Sequence, residues 1–117
     1  MALRGLRTVI YPAPDLAAAT AWWTGFLGFP PYFEEPFYVG FNVDGDELGL
    51  LPDADAADGA QVYFGVDDVP AAVADATAAG ATVHAEPTDV GEGIVTAMVR
   101  TPHGSLLGFI SNPHDNG

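Results

Sequence analysis

Two stretches, PDLAAATAWWTGFLGF at Pro14–Phe29 and VDDVPAAVADATAAGATV at Val66–Val83, share one construction: an aspartate, an apolar stripe at helical spacing, then a glycine. In the first, Asp15 can accept from the free amides of an opening turn, Leu16, Ala19, Trp23 and Leu27 fall near one face, and Gly28 supplies a left-handed stop. In the second, Asp68 caps, Pro70 sits in the first turn, Val69, Ala72, Val73 and Ala76 form the stripe, and Gly80 ends it. Both read as helices with one buried face.

Outward from each helix the pattern changes to short strands and turns. Apolar strands precede the helices at Thr8–Tyr11 and Gln61–Val66; Thr8 lies seven residues before Asp15, and Gln61 seven before Asp68. Behind the first helix come Tyr32–Glu35, Phe37–Val43 and Glu47–Leu51, with Asp44-Gly45-Asp46 as the turn between the last two. Behind the second come Thr82–Ala85, Gly93–Arg100 and Ser105–Ile110, with the turn Pro102-His103-Gly104. Gly49 stands four after Gly45, as Gly108 stands four after Gly104. The expectation is an α+β fold of two βαβββ repeats, about residues 5–52 and 60–113, joined by the acidic stretch Asp53–Gly59 within a single domain spanning 1–117. Its curved mixed sheet would surround a concave cleft.

The chain has 117 residues, 49% of them hydrophobic, enough for one core. Sixteen acids face three arginines and no lysine, for a net charge of −13, which excludes nucleic acid as a partner because that affinity comes largely from cations on phosphates. A negative field of this kind instead solvates the surface and gathers cationic ligands. No apolar run approaches the ~20 residues of a membrane span and no signal-peptide pattern opens the chain, so a cytoplasmic protein without a membrane partner is expected. The absence of cysteine excludes disulfides, thiolate metal sites and thiol nucleophiles.

The repeat, with PDLAAATAWWTGFLGF, VDDVPAAVADATAAGATV and TPHGSLLGFISNP (Thr101–Pro113), resembles the vicinal oxygen chelate superfamily of glyoxalases, extradiol dioxygenases, fosfomycin-modifying enzymes and bleomycin-type resistance proteins. The resemblance covers roughly Gly5–Pro113. It implies a divalent-metal quartet of His and Glu at the start of each repeat's first strand and the middle of its last, positions held here by Thr8, Gly49, Gln61 and Gly108. None is a good ligand: glycine has no donor, and Thr and Gln offer weak neutral oxygens. Glu47, two residues from Gly49 on the same strand face, would restore only one carboxylate, and His84, His103 and His114 read as structural. No metal and no cofactor are therefore expected.

With the metal gone, the inward sheet face becomes a ligand cleft. Alternation places Ile10, Tyr63 and Gly65 beside Thr8 and Gln61, and Leu51, Leu106 and Ile110 beside Gly49 and Gly108, whose missing side chains would leave room for a bulky guest. Val9, Leu48, Leu50, Val62, Phe64, Leu107 and Phe109 would pack under the helices, as would Trp23, Phe26, Phe41, Val39 and Val43. Tyr38 and Asn42 would point into the cleft, Tyr32, Phe33 and Phe37 would form an aromatic rim that meets either a ligand or a second subunit, and Met98 and Arg100 would add an adaptable apolar contact and a cation. Arg100 reads equally as a surface ion-pair partner. The resemblance implies a homodimeric protein that sequesters an aromatic natural product of the bleomycin, mitomycin or enediyne kind without changing it. The alternative is a glyoxalase-like or isomerase-type enzyme acting without a protein-held metal.

Overall fold

The structure is a computed structural model that describes residues 3–113. His114 lies outside the described residues. The chain clusters into two compact units, one of Thr8–Gln61 and the other of Val62 onward together with the segment leading to Arg7. Each contains one βαβββ repeat, as the sequence predicts.

β1 (Leu6–Pro12), whose residues from Thr8 on belong to the first unit, leads into that unit's α1 (Leu16–Leu27), then β2 (Phe33–Glu35), β3 (Tyr38–Val43) and β4 (Asp46–Leu51). The strands lie in the order β2-β3-β4-β1, the last pair parallel, which requires a crossover of the kind α1 provides. Asp15 caps α1 by accepting from the Ala18 amide at 3.1 Å, and Gly28, at φ 86°, closes it by donating to Thr24 O. One sheet face buries Val39, Phe41 and Leu50 against Leu16, Ala19, Trp23 and Leu27. Trp23 also stacks on Tyr11, with ring centroids 5.5 Å apart. Phe26 departs from the expectation of core: it is 69% exposed and stacks on Trp22, which is 59% exposed. Three residues on from Trp23, it is rotated about 60° around the helix, far enough to leave the sheet at the last turn.

In the second unit β5 (Gln61–Gly65) is followed by α2 (Val69–Ala78), β6 (Thr82–Asp89), β7 (Val95–Arg100) and β8 (Leu106–Ser111), in the order β5-β8-β7-β6 with β5 and β8 parallel. Asp68 accepts from the Ala71 amide at 3.0 Å. Gly80, at φ 105°, lets Ala81 N reach back to Ala76 O, so the chain turns off α2 through paired reverse hydrogen bonds. Val69, Ala72 and Val73 bury against Ala97, Val99 and Phe109. Strand limits differ from the sequence reading by one or two residues in most cases, and two differences in this unit have a visible cause. β7 begins at Val95 because Gly91, Glu92 and Gly93 all have positive φ and form a turn. β6 runs to Asp89 through two register shifts, and it is the edge strand of its unit, where Pro87 loses no ladder partner. Among the described residues no helix is long and apolar enough to cross a membrane.

Candidate functional site

The face of the first unit's sheet away from α1 has a floor of two glycines. The turn Asp44-Gly45, both residues at positive φ, pairs Val43 with Asp46 and so sets Gly40 opposite Gly49 and Asn42 opposite Glu47. The parallel partner adds Thr8 opposite Glu47 and Ile10 opposite Gly49, and β2 adds Phe33 opposite Gly40. Two phenol rings lie over this floor. A Cβ at residue 40 would stand 3.1 Å from Tyr32 Cε1 and 3.3 Å from Tyr38 Cε2, while one at residue 49 would overlap the hydroxyl end of Tyr38, 2.7 Å from Cζ. Glycine is needed here for close approach of a ring to the backbone. The room expected above Gly49 is thus filled by Tyr38.

Both hydroxyls converge on one carboxylate: Tyr32 donates to Glu47 Oε1 and Tyr38 to Glu47 Oε2. Tyr32 is anchored by its amide, which donates to Gly40 O at 3.0 Å. Its hydroxyl is pushed well above the usual phenol range, first by burial of that end of the ring and then by the hydrogen bond and charge of Glu47, so it stays protonated at neutral pH. Phe33 continues the aromatic surface, its centroid 6.2 Å from Tyr38 and 6.1 Å from Phe37. Tyr32 and Phe37 are each 62% exposed, so this aromatic wall faces solvent.

In the second unit Tyr63 and Met98 flank Gly108 from the two neighbouring strands, and a Cβ there would meet Tyr63 Cδ2 at 2.5 Å and Met98 Cε at 2.9 Å. Here too the expected room is filled. Burial raises the Tyr63 hydroxyl above the ordinary phenol range. Met98, expected as a ligand contact, is 3% exposed because its thioether closes over the missing side chain of Gly108. Arg100 donates to Gly104 O at 2.9 Å and so braces its own hairpin turn. Asn42 is likewise turned to local use: its Oδ1 accepts from the Gly45 amide at 2.8 Å, fixing the β3–β4 turn.

Thr8, Ile10, Leu51 and Gln61 are half-buried on their strands, the first three on the face that carries Glu47 and Gly49. The structure gathers Phe33, Phe37 and Tyr38 into one aromatic surface and joins Tyr32, expected on the rim and as the first residue of its strand, to Tyr38 at Glu47; β2 itself begins one residue later, at Phe33. That Tyr38 and Glu47 share a sheet face was readable from alternation, whereas the register itself sets Asn42 and not Tyr38 opposite Glu47.

The donors do not fit a resident divalent metal. Thr8, Gly49, Gln61 and Gly108 provide no carboxylate or imidazole, Glu47 is engaged by two phenols, and among the described residues no three acidic or histidine side chains converge. His103 instead meets Ser105 Oγ at 3.1 Å, and His84 is exposed on β6.

A family model described as the Glyoxalase/Bleomycin resistance protein/Dioxygenase superfamily matches residues 5–109. No curated protein is similar enough in sequence to count as a relative. Among solved structures, a methylmalonyl-CoA epimerase variant from Streptomyces coelicolor, in complex with 2-nitronate-propionyl-CoA, superposes with a TM-score of 0.74 at 22% identity, covering 99% of each chain. A superfamily member from Vibrio splendidus gives 0.68 at 21%, covering 92% of this chain and 98% of its own. The Mn(II)-bound glyoxalase from Novosphingobium aromaticivorans gives 0.65 at 21%, covering 93% of this chain and 38% of its own. At these identities the likeness is one of fold.

Proposed function

Because the chain belongs to the glyoxalase/bleomycin resistance protein/dioxygenase superfamily and its residues do not fit that fold's metal, we propose that it binds an aromatic small molecule on the first unit's open sheet face and releases it unchanged. The observation that carries this reading is the exposed aromatic wall of Tyr32, Phe33 and Phe37, backed by half-buried Tyr38 and joined through the two tyrosines to a single polar anchor, Glu47. Ligand sites combine this kind of apolar surface with few, well-placed polar groups. Catalysis is poorly served by the trio of Tyr32, Tyr38 and Glu47. A phenol whose proton is held more tightly than usual is a weak acid at neutral pH, and the carboxylate already accepts from two hydroxyls. The role that follows is sequestration of an aromatic natural product, such as a bleomycin, mitomycin or enediyne-type antibiotic, by a homodimer in the cytoplasm.

The test is native mass spectrometry of the protein with a panel of these antibiotics, followed by chromatography of the recovered compound. We expect stoichiometric binding, an unchanged ligand, and an affinity lowered roughly tenfold by Tyr38→Ala, since an aromatic contact contributes ~0.5–1.5 kcal/mol beyond its buried area. Recovery of a modified compound in molar excess over the protein would replace this reading with the enzyme alternative.

A further inference from the structure

The hydrogen-bond inventory of the trio determines what a ligand must bring. A phenol has one proton, and those of Tyr32 and Tyr38 are both given to Glu47. An ionised carboxylate has none. Every polar side-chain atom of the trio therefore meets a ligand as an acceptor, and together the three groups carry one negative charge. Their surroundings reinforce this. Thr8–Gln61 contains nine acidic residues and no lysine, arginine or histidine, so no side chain of that unit supplies a cation. Glu35 lies on the same sheet face, opposite Tyr38 in register. The ring of Phe33, 6.5 Å from Tyr32 and 6.2 Å from Tyr38, adds an aromatic surface to which a cation is attracted.

We infer that the ligand carries a protonated amine, whose N–H groups donate to Glu47 and the two phenolic oxygens while its adjoining carbon framework packs on Phe33. This rests on the binding reading above and adds the charge and donor count of the ligand. Ammonium is favoured over a neutral hydroxyl because it brings three donors where a hydroxyl brings one, and because its positive charge is attracted to the negative charge of Glu47.

Three probes of like size separate the possibilities: benzylammonium, benzyl alcohol and benzoate, each titrated at neutral pH against the full chain while the amide resonances of β3 and β4 are followed by NMR. Benzylammonium is expected to bind roughly tenfold more tightly than benzyl alcohol, with benzoate weakest. Glu47→Gln should remove that preference, whereas Asp75→Asn, which makes the same change in net charge on the exposed side of α2, should leave it within about twofold. Should Glu47→Gln fail to fold, the unaltered protein still decides the matter, because added salt should weaken the ammonium probe and not the alcohol. Equal affinity for ammonium and alcohol, or salt-insensitive ammonium binding, overturns the amine assignment while the binding reading stands. If none of the probes shifts these amides at millimolar concentration, both are overturned.

Discussion

Replacing Gly49 by alanine puts a methyl group where the hydroxyl end of Tyr38 lies, 2.7 Å from Cζ. The glycine has no positive φ, so the new residue is not strained by its backbone, and loss of glycine's freedom in the unfolded chain should stabilise by about 0.4–1 kcal/mol. Against this, a ring forced off its seat costs ~1–3 kcal/mol, and a hydrogen bond to a charged partner, here Glu47, contributes ~1.5–3 kcal/mol when lost. Tyr38 is half-buried, so water recovers part of the second figure, and a net loss of about 2–4 kcal/mol is expected. The same substitution in a Tyr38→Ala background should be neutral or slightly stabilising, because nothing then occupies the space. Denaturant unfolding of the four proteins in this cycle measures the difference directly. Gly45→Ala is the control: at φ 95° with open space around it, its cost is conformational and should not depend on residue 38. An equal cost for Gly49→Ala in both backgrounds would refute the argument, as would a stabilised single variant.

Absorbance titration should find Tyr32 and Tyr63 ionising above the ordinary phenol range; since a raised pKa in the folded state means stability is present below about pH 10 and lost as pH climbs through the folded value, denaturant stability should fall in strong base, and less so in Tyr32→Phe. Asp15→Ala and Asp68→Ala should each cost about 1 kcal/mol in the same unfolding assay, for one lost N-cap apiece, and a change below a few tenths would contradict the capping geometry. Exposed Trp22, Phe26 and Phe37 favour self-association, so sedimentation should give about twice the 12.1 kDa chain mass, more completely at higher salt, where the like charges of two acidic chains are screened; a mass of one chain at micromolar concentration would count against it.

The repeat was legible because its signals are local. Asp15 with Gly28 and Asp68 with Gly80 mark helix ends through hydrogen bonds made within a few residues, and the Asp44-Gly45 turn sets a register that puts Tyr38, Gly40, Glu47 and Gly49 on one face. The candidate site was legible only in part. Tyr32 lies outside any strand and reaches Glu47 across 15 residues, so its role depends on how the chain returns over the sheet. Asn42 and Arg100 have the parity expected of ligand contacts, yet nearby turns take up their polar atoms. Alternation gives the face a side chain occupies and not its partner. The glycines misled for a related reason: a missing side chain signals space only if no neighbour moves in, and Tyr38, Tyr63 and Met98 all have.

That filling also makes the order of substitutions matter. A carboxylate introduced at residue 49 has no place until residue 38 becomes smaller, and one at residue 108 must wait for changes at both Tyr63 and Met98. Each enabling change, made alone, opens a void that destabilises the chain before any new donor is present. Paths of single substitutions from this protein to a metal-holding quartet therefore pass through less stable intermediates, which an engineer can avoid only by changing ring and glycine together.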